Sequence, residues 1–126
     1  MCGINFEADI RSNTLGYLPA EDYTSLFCNL LDNAIESAKT CDNPYIDCNV
    51  SLIRDGNADL ISIANSCEVS PLGSDGKLHS GKHDNRLHGY GLKSVKRIAD
   101  KYNGLLNYTY SEEKHEFRIA VMLEHH

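Results

Sequence analysis

Apolar and polar residues alternate along Ile4-Asn5-Phe6-Glu7-Ala8-Asp9-Ile10, the period-two pattern of a strand with one buried face. The period then changes. Leu26, Phe27, Leu30, Leu31, Ala34, Ile35 and Ala38 recur at helical spacing behind Pro19, Glu21 and Asp22, and Cys41-Asp42-Asn43-Pro44 breaks the pattern, which predicts a helix over about 20–40. Tyr45–Ile53 and Asp59–Ala64 read as strands joined through the turn signal Asp55-Gly56-Asn57. Residues 66–88 hold only scattered apolar anchors, Leu72, Leu78 and Leu87, and a connection this long inside one domain is a functional lid or a disordered segment. A second helix is predicted from Gly91 to Tyr102, with Leu92, Val95, Ile98, Ala99 and Tyr102 on one face and Asn103-Gly104 as its stop. Leu105–Tyr110 and Glu116–Met122 complete a hairpin around Glu112-Glu113-Lys114. This order predicts an α+β fold: a two-layer α/β sandwich whose mixed, mostly antiparallel sheet is covered by helices on one face.

At 126 residues the chain is one domain able to bury a core without metals or disulfides. A net charge of −6 argues against a nucleic-acid partner, although the basic residues of 77–97 form a local cluster able to meet phosphate. No apolar run approaches the roughly 20 residues of a membrane-spanning helix. Five cysteines, Cys2, Cys28, Cys41, Cys48 and Cys67, form no Cys-x-x-Cys pair and read as reduced thiols of a cytoplasmic chain. Leu123-Glu124-His125-His126 reads as the start of a purification tag, which sets the domain at 1–122, and the abrupt opening implies a natural chain longer at its amino end.

Three groups carry candidate chemistry. Asn29, Asn33 and Glu36 fall at i, i+4 and i+7, on one helix face apart from the Leu26, Leu30, Leu31, Ala34 stripe. A carboxamide oxygen such as that of Asn33 is a neutral hard ligand suited to Mg2+, whose remaining ligands are waters and phosphate oxygens; the same stripe also fits the solvated side of an amphipathic helix. Gly89-x-Gly91-Leu92 stands at a helix start, where free amides attract phosphate, and Lys82, Arg86 and His88 precede it; alone it is also an ordinary loop-to-helix turn. Lys93, Lys96 and Arg97 read as the polar face of that helix. Asn65, ending a strand, can read an adenine edge or simply serve a turn. Taken together the three groups point to ATP.

In these residues the chain resembles the GHKL ATP-binding superfamily, and within it the catalytic domain of sensor histidine kinases. Asn29-Leu30-Leu31-Asp32-Asn33-Ala34-Ile35-Glu36 looks like the N box, Asn65 stands where the first glycine-box aspartate sits, and Gly89-Tyr90-Gly91-Leu92 looks like the second glycine box. Asn65 itself, Ser80-Gly81-Lys82 and His88-Gly89-Tyr90-Gly91-Leu92 resemble the Gram-positive kinases that sense peptide pheromones in quorum sensing, of the accessory-gene-regulator type. The resemblance implies Asn33 as the Mg2+ ligand, Asn29 as a phosphate or metal-shell contact and Asn65 on the adenine amine. It also implies Glu36, Lys82, His88, Gly89, Tyr90, Gly91 and Leu92 around the nucleotide, with Lys82 in a mobile lid. The family's aspartate is replaced by Asn65, and its following glycine pair is absent from Ser66-Cys67-Glu68. An amide forgoes a charge-assisted hydrogen bond worth about 1 kcal/mol or more.

The superfamily's ATPases carry a water-activating glutamate where Asn29 stands, and an amide cannot act as that base. Transfer to a neutral imidazole needs no such base, so the resemblance implies a protein-histidine kinase rather than an ATPase or a serine kinase. The phosphoacceptor histidine is expected upstream, on a dimerisation domain of a membrane-bound receptor that passes phosphate to a response regulator. The isolated domain is expected to bind ATP with little turnover. The alternative is a degenerate nucleotide-dependent interaction module without phosphotransfer.

Overall fold

The computed structural model describes residues 3–11, 14–71 and 85–124, leaving aside the side chains of 85–91. The apolar spacing of 26–38 forms helix α1, Ala20–Ala38, with Leu26, Leu30, Ala34 and Ala38 buried on its inner face. Pro19 precedes it without a side-chain cap, and Glu21 and Asp22 in the first turn complement the positive end of the helix dipole. Helix α2, Asn85–Lys101, buries Val95, Ile98 and Ala99.

The strands are β1 Asn5–Ile10, β2 Tyr45–Ile53, β3 Ala58–Ser66, β4 Leu105–Ser111 and β5 Glu116–Glu124. They form one sheet in the order β1-β2-β3-β5-β4, parallel between β1 and β2 and antiparallel elsewhere. This is the mixed two-layer sandwich the pattern predicted. Ile46, Cys48 and Val50 of β2, Ile61 and Ile63 of β3, and Phe117, Ile119, Val121 and Leu123 of β5 turn inward and pack against the helices. Their period-two spacing places the intervening residues on the opposite, uncovered face.

Four expectations change. The predicted buried face of β1 does not exist: all six residues are exposed, with Phe6 at 51% and Ile10 at 52%. The helices pack over β2, β3, β5 and β4, and among the described elements β1 touches β2 alone. The last strand runs past residue 122, because Leu123 is fully buried and Leu123 and Glu124 pair with Asp59 and Ala58. β3 continues to Ser66, so Asn65 is a strand residue with neighbours on both sides. α2 begins at Asn85, ahead of the glycines rather than after them.

The stop after α2 is built as the sequence suggested. Asn103 takes a left-handed conformation with φ 53°, and Gly104 donates its N–H to the Ala99 carbonyl at 2.7 Å. A Cβ on Gly104 would lie 1.7 Å from the Met122 carbonyl oxygen, whereas one on Gly16 would meet nothing within 4 Å. Gly104→Ala is therefore expected to lower stability by at least about 2 kcal/mol, because the obstacle is backbone that cannot move aside. Gly16→Ala should stay near wild type; urea unfolding of both variants checks this.

Candidate functional site

Two helices over the middle of the sheet frame the site. α1 and α2 run antiparallel, since Asp22 at the start of α1 accepts hydrogen bonds from the end of α2, from Lys101 Nζ at 2.8 Å and the Tyr102 hydroxyl at 2.7 Å. Those donors, Lys101 foremost, hold the Asp22 carboxyl below the usual carboxylate range, and the same carboxylate pushes Lys101 and Tyr102 up. Asn33 lies eleven residues along α1 from Asp22, about 16 Å of helix, and an equal step back along α2 from Lys101 reaches Tyr90. The antiparallel pairing thus brings the N-box-like face level with the glycine segment.

Asn33 is only 8% exposed, so it is not part of a solvated face. A carboxamide buried at that point is oriented by its surroundings. Asn29 is half-buried and spends its amide nitrogen on its own helix, donating to the Ser25 carbonyl at 2.7 Å and Ser25 Oγ at 3.3 Å. What it offers a ligand is its oxygen. Glu36 is partly exposed and pairs with Lys39 at 3.0 Å, turned to its own helix.

Asn65 is 1% exposed, between Ile46 of β2 and Phe117 of β5, and alternation with Ile61 and Ile63 puts it on the helix side. Its Nδ2 donates to the Ser66 carbonyl at 2.8 Å. The oxygen is thereby the group it presents as an acceptor. The turn that follows lacks glycines and is held by other means. Tyr45 N–H donates to Ser66 Oγ at 3.1 Å, Cys67 N–H to the His115 carbonyl at 2.8 Å, and the Tyr110 hydroxyl to the Cys67 carbonyl at 2.8 Å. Burial pushes the Cys67 and Cys48 thiols up, which keeps both from acting as thiolates, and Cys28, Cys41, Cys48 and Cys67 are free.

The glycine segment differs from its expected form. In a helix begun at Asn85 the open N–H groups within it are those of 85–87, so the amides of Gly89, Gly91 and Leu92 join the helix ladder. Leu92 packs against the core. Lys96 pairs with Asp100 at 2.9 Å on the polar face, as expected of it. Lys82 and the remainder of the expected lid at 72–84 lie outside the described residues.

Two residues that hold this frame were not singled out from the sequence. Asp59 of β3 is wholly buried and accepts the Leu15 N–H at 3.2 Å, and the Tyr17 hydroxyl faces it, pushed up first by burial and then by the Asp59 carboxylate. Tyr17 in turn meets Tyr102 edge to face, ring centroids 5.8 Å apart. An aspartate inside the apolar run Ala58-Asp59-Leu60-Ile61 was the available signal.

With this geometry in place, likeness to known proteins becomes specific. The family model described as a GHKL domain matches residues 18–123. No curated protein sequence matches the chain. Among solved structures, the catalytic domain of the histidine kinase ThkA superposes with a TM-score of 0.72 at 19% identity, covering 96% of this chain and 78% of that one. The histidine kinase AdeS of Acinetobacter baumannii gives 0.65 at 16% identity, and full-length ShkA in complex with AMPPNP gives 0.67 at 18%. Each is covered over 96% of this chain, which spans 54% of the AdeS chain and 25% of the ShkA chain. The chain belongs to the GHKL domain family. Its fold is that of histidine kinase catalytic domains. Among the described residues no helix is long and apolar enough to cross a membrane.

The Asp22 contact carries a testable pH dependence. Its native pKa lies below the unfolded one, so its stabilisation is complete above about pH 4 and is lost as pH falls through the lowered native value. Asp22→Asn should be less stable than wild type at neutral pH and lose less stability on acidification. Urea midpoints compared between about pH 6 and pH 3 give the two slopes.

Proposed function

We propose that this domain binds Mg-ATP between α1 and α2 and, within a longer protein, presents the γ-phosphate to a histidine on an upstream helical dimerisation domain. The observation that carries the reading is a pair of buried carboxamides on the helix side of the sheet, Asn33 and Asn65, which we assign to the two ends of one nucleotide.

At the base end, the Asn65 nitrogen is committed to Ser66, so its oxygen accepts from a donor. The 6-amino group of adenine is such a donor, whereas guanine presents a carbonyl there. Base selectivity then comes from a neutral acceptor, without the charge that an aspartate supplies. At the phosphate end, Asn33 and Asn29 supply neutral oxygens, and the open amides of 85–87 with the positive end of α2 favour phosphate. Lys82 and His88 are assigned to the phosphates by the family resemblance. Asn33 is assigned the role of a single protein ligand to Mg2+, completed by water and phosphate oxygens, because a carboxamide oxygen is a neutral hard donor. Bound Mg2+ would neutralise charge on the β- and γ-phosphate oxygens.

Asn29 supplies no general base for water. That suits transfer to an imidazole, whose own lone pair attacks, and disfavours hydrolysis. The wider setting we infer is a cytoplasmic kinase domain of a membrane-bound receptor for peptide pheromones in Gram-positive quorum sensing, feeding a response regulator. It rests on the form His88-Gly89-Tyr90-Gly91-Leu92 together with Asn65.

Calorimetric titration tests the reading. ATP should bind saturably and more tightly with Mg2+, GTP more weakly. Asn33→Ala should retain the fold and lose the Mg2+ dependence, and Asn65→Ala should lose about tenfold in ATP affinity together with the preference over GTP. Absence of binding at millimolar ATP would overturn the assignment and leave an interaction module.

A further inference from the structure

β1 carries an interaction surface that the nucleotide site does not use. It is an edge strand, paired with β2 alone, and every one of its residues is exposed. Asn5 N–H donates to the Pro44 carbonyl and Arg11 N–H to the Val50 carbonyl, both at 3.0 Å. In a parallel ladder this phase turns residues 5, 7, 9 and 11 inward and leaves the N–H and C=O groups of Phe6, Ala8 and Ile10 facing outward. Among the described residues no strand pairs with that edge.

Side chains sort with the same period. Phe6, Ala8 and Ile10 are in register with Ile46, Cys48 and Val50, so they share the helix-side face, yet neither helix reaches them. Glu7 and Asp9 stand on the opposite face beside Asp47, around a hollow of about 340 Å³. The edge therefore presents open backbone groups, an apolar row on one side and a row of carboxylates on the other.

A second copy of this chain does not suit it. Antiparallel pairing that sets Phe6, Ala8 and Ile10 of the two copies against one another, centred on Ala8, places Glu7 opposite the Asp9 of the copy, a like-charge pair. Nor does any part of the 126 residues alternate apolar with Lys or Arg over the length of a strand. We propose that the open edge of β1 accepts an added strand from another protein, in which apolar residues alternate with Lys or Arg. The apolar side chains of such a strand continue the Phe6–Ile10 row, its basic side chains lie beside Glu7 and Asp9, and its backbone bonds to Phe6, Ala8 and Ile10. Charges that keep a bare edge from pairing with its own kind thus select a strand of opposite charge.

The test uses the 126-residue chain without nucleotide, so it stands apart from the ATP reading. Two capped seven-residue peptides are titrated into the isotope-labelled chain, one alternating valine with lysine and one alternating valine with glutamate. The lysine peptide should shift amide resonances of 5–10 saturably and slow hydrogen exchange at Phe6, Ala8 and Ile10, while the glutamate peptide does neither. Glu7→Lys with Asp9→Lys, both exposed changes, should reverse the peptide preference by about tenfold. Equal response to both peptides, shifts spread over the acidic surface without slowed exchange at those three amides, or pairing of β1 with a second copy would overturn the proposal. Should the double variant fail to fold, the exchange pattern of the unaltered chain decides alone.

Discussion

A carboxyl group buried near one end of the central strand sets the terms for much of this molecule. Asp59 is fully enclosed, and a buried polar group is tolerated only where partners replace its water. Its partners come from the connection ahead of α1. Leu15 delivers its N–H from a left-handed backbone, φ 60°, and Tyr17 brings its hydroxyl. Tyr17 lies against Tyr102, and Tyr102 bonds Asp22 at the start of α1. One buried group on β3 thereby fixes where α1 begins and how it meets the end of α2. The antiparallel helix pair that brackets the candidate site follows from that fixed end.

Much of this architecture was legible in the order and periods of the chain. Both helices, five strands and the sandwich itself were readable, because Leu26, Leu30 and Ala34 repeat every three to four residues while Ile46, Cys48 and Val50 repeat every two. The failures have physical causes. Period two in β1 was read as burial, but periodicity reports which residues share a face and says nothing about what covers it. The start of α2 was placed after the glycines because Gly89 and Gly91 are poor helix formers, and the backbone passes through them in helical form. Asp59 escaped notice because its role depends on Leu15, 44 positions earlier in sequence.

The candidate site was legible in kind, less so in detail. Asn29, Asn33 and Glu36 share one side of α1 by their spacing, yet burial separates them: Asn33 is enclosed, Asn29 shares its amide with Ser25, and Glu36 turns to Lys39. The missing glycines after Asn65 looked like a defect in sequence. In three dimensions the turn is held by Tyr45, Tyr110 and the His115 carbonyl, contacts from 20 to 50 positions away in sequence that no local motif encodes.

The connectivity of β1 has a consequence for the order in which the chain is built. β2 with β3 and β4 with β5 are hairpins that close locally, whereas Asn5 finds Tyr45 only after α1 has crossed over between them. Since among the described elements β1 contacts β2 alone and Phe6 and Ile10 are already half exposed, detaching it surrenders little burial. The edge strand is therefore expected to open at lower cost than the rest of the sheet, as a unit separate from the buried core.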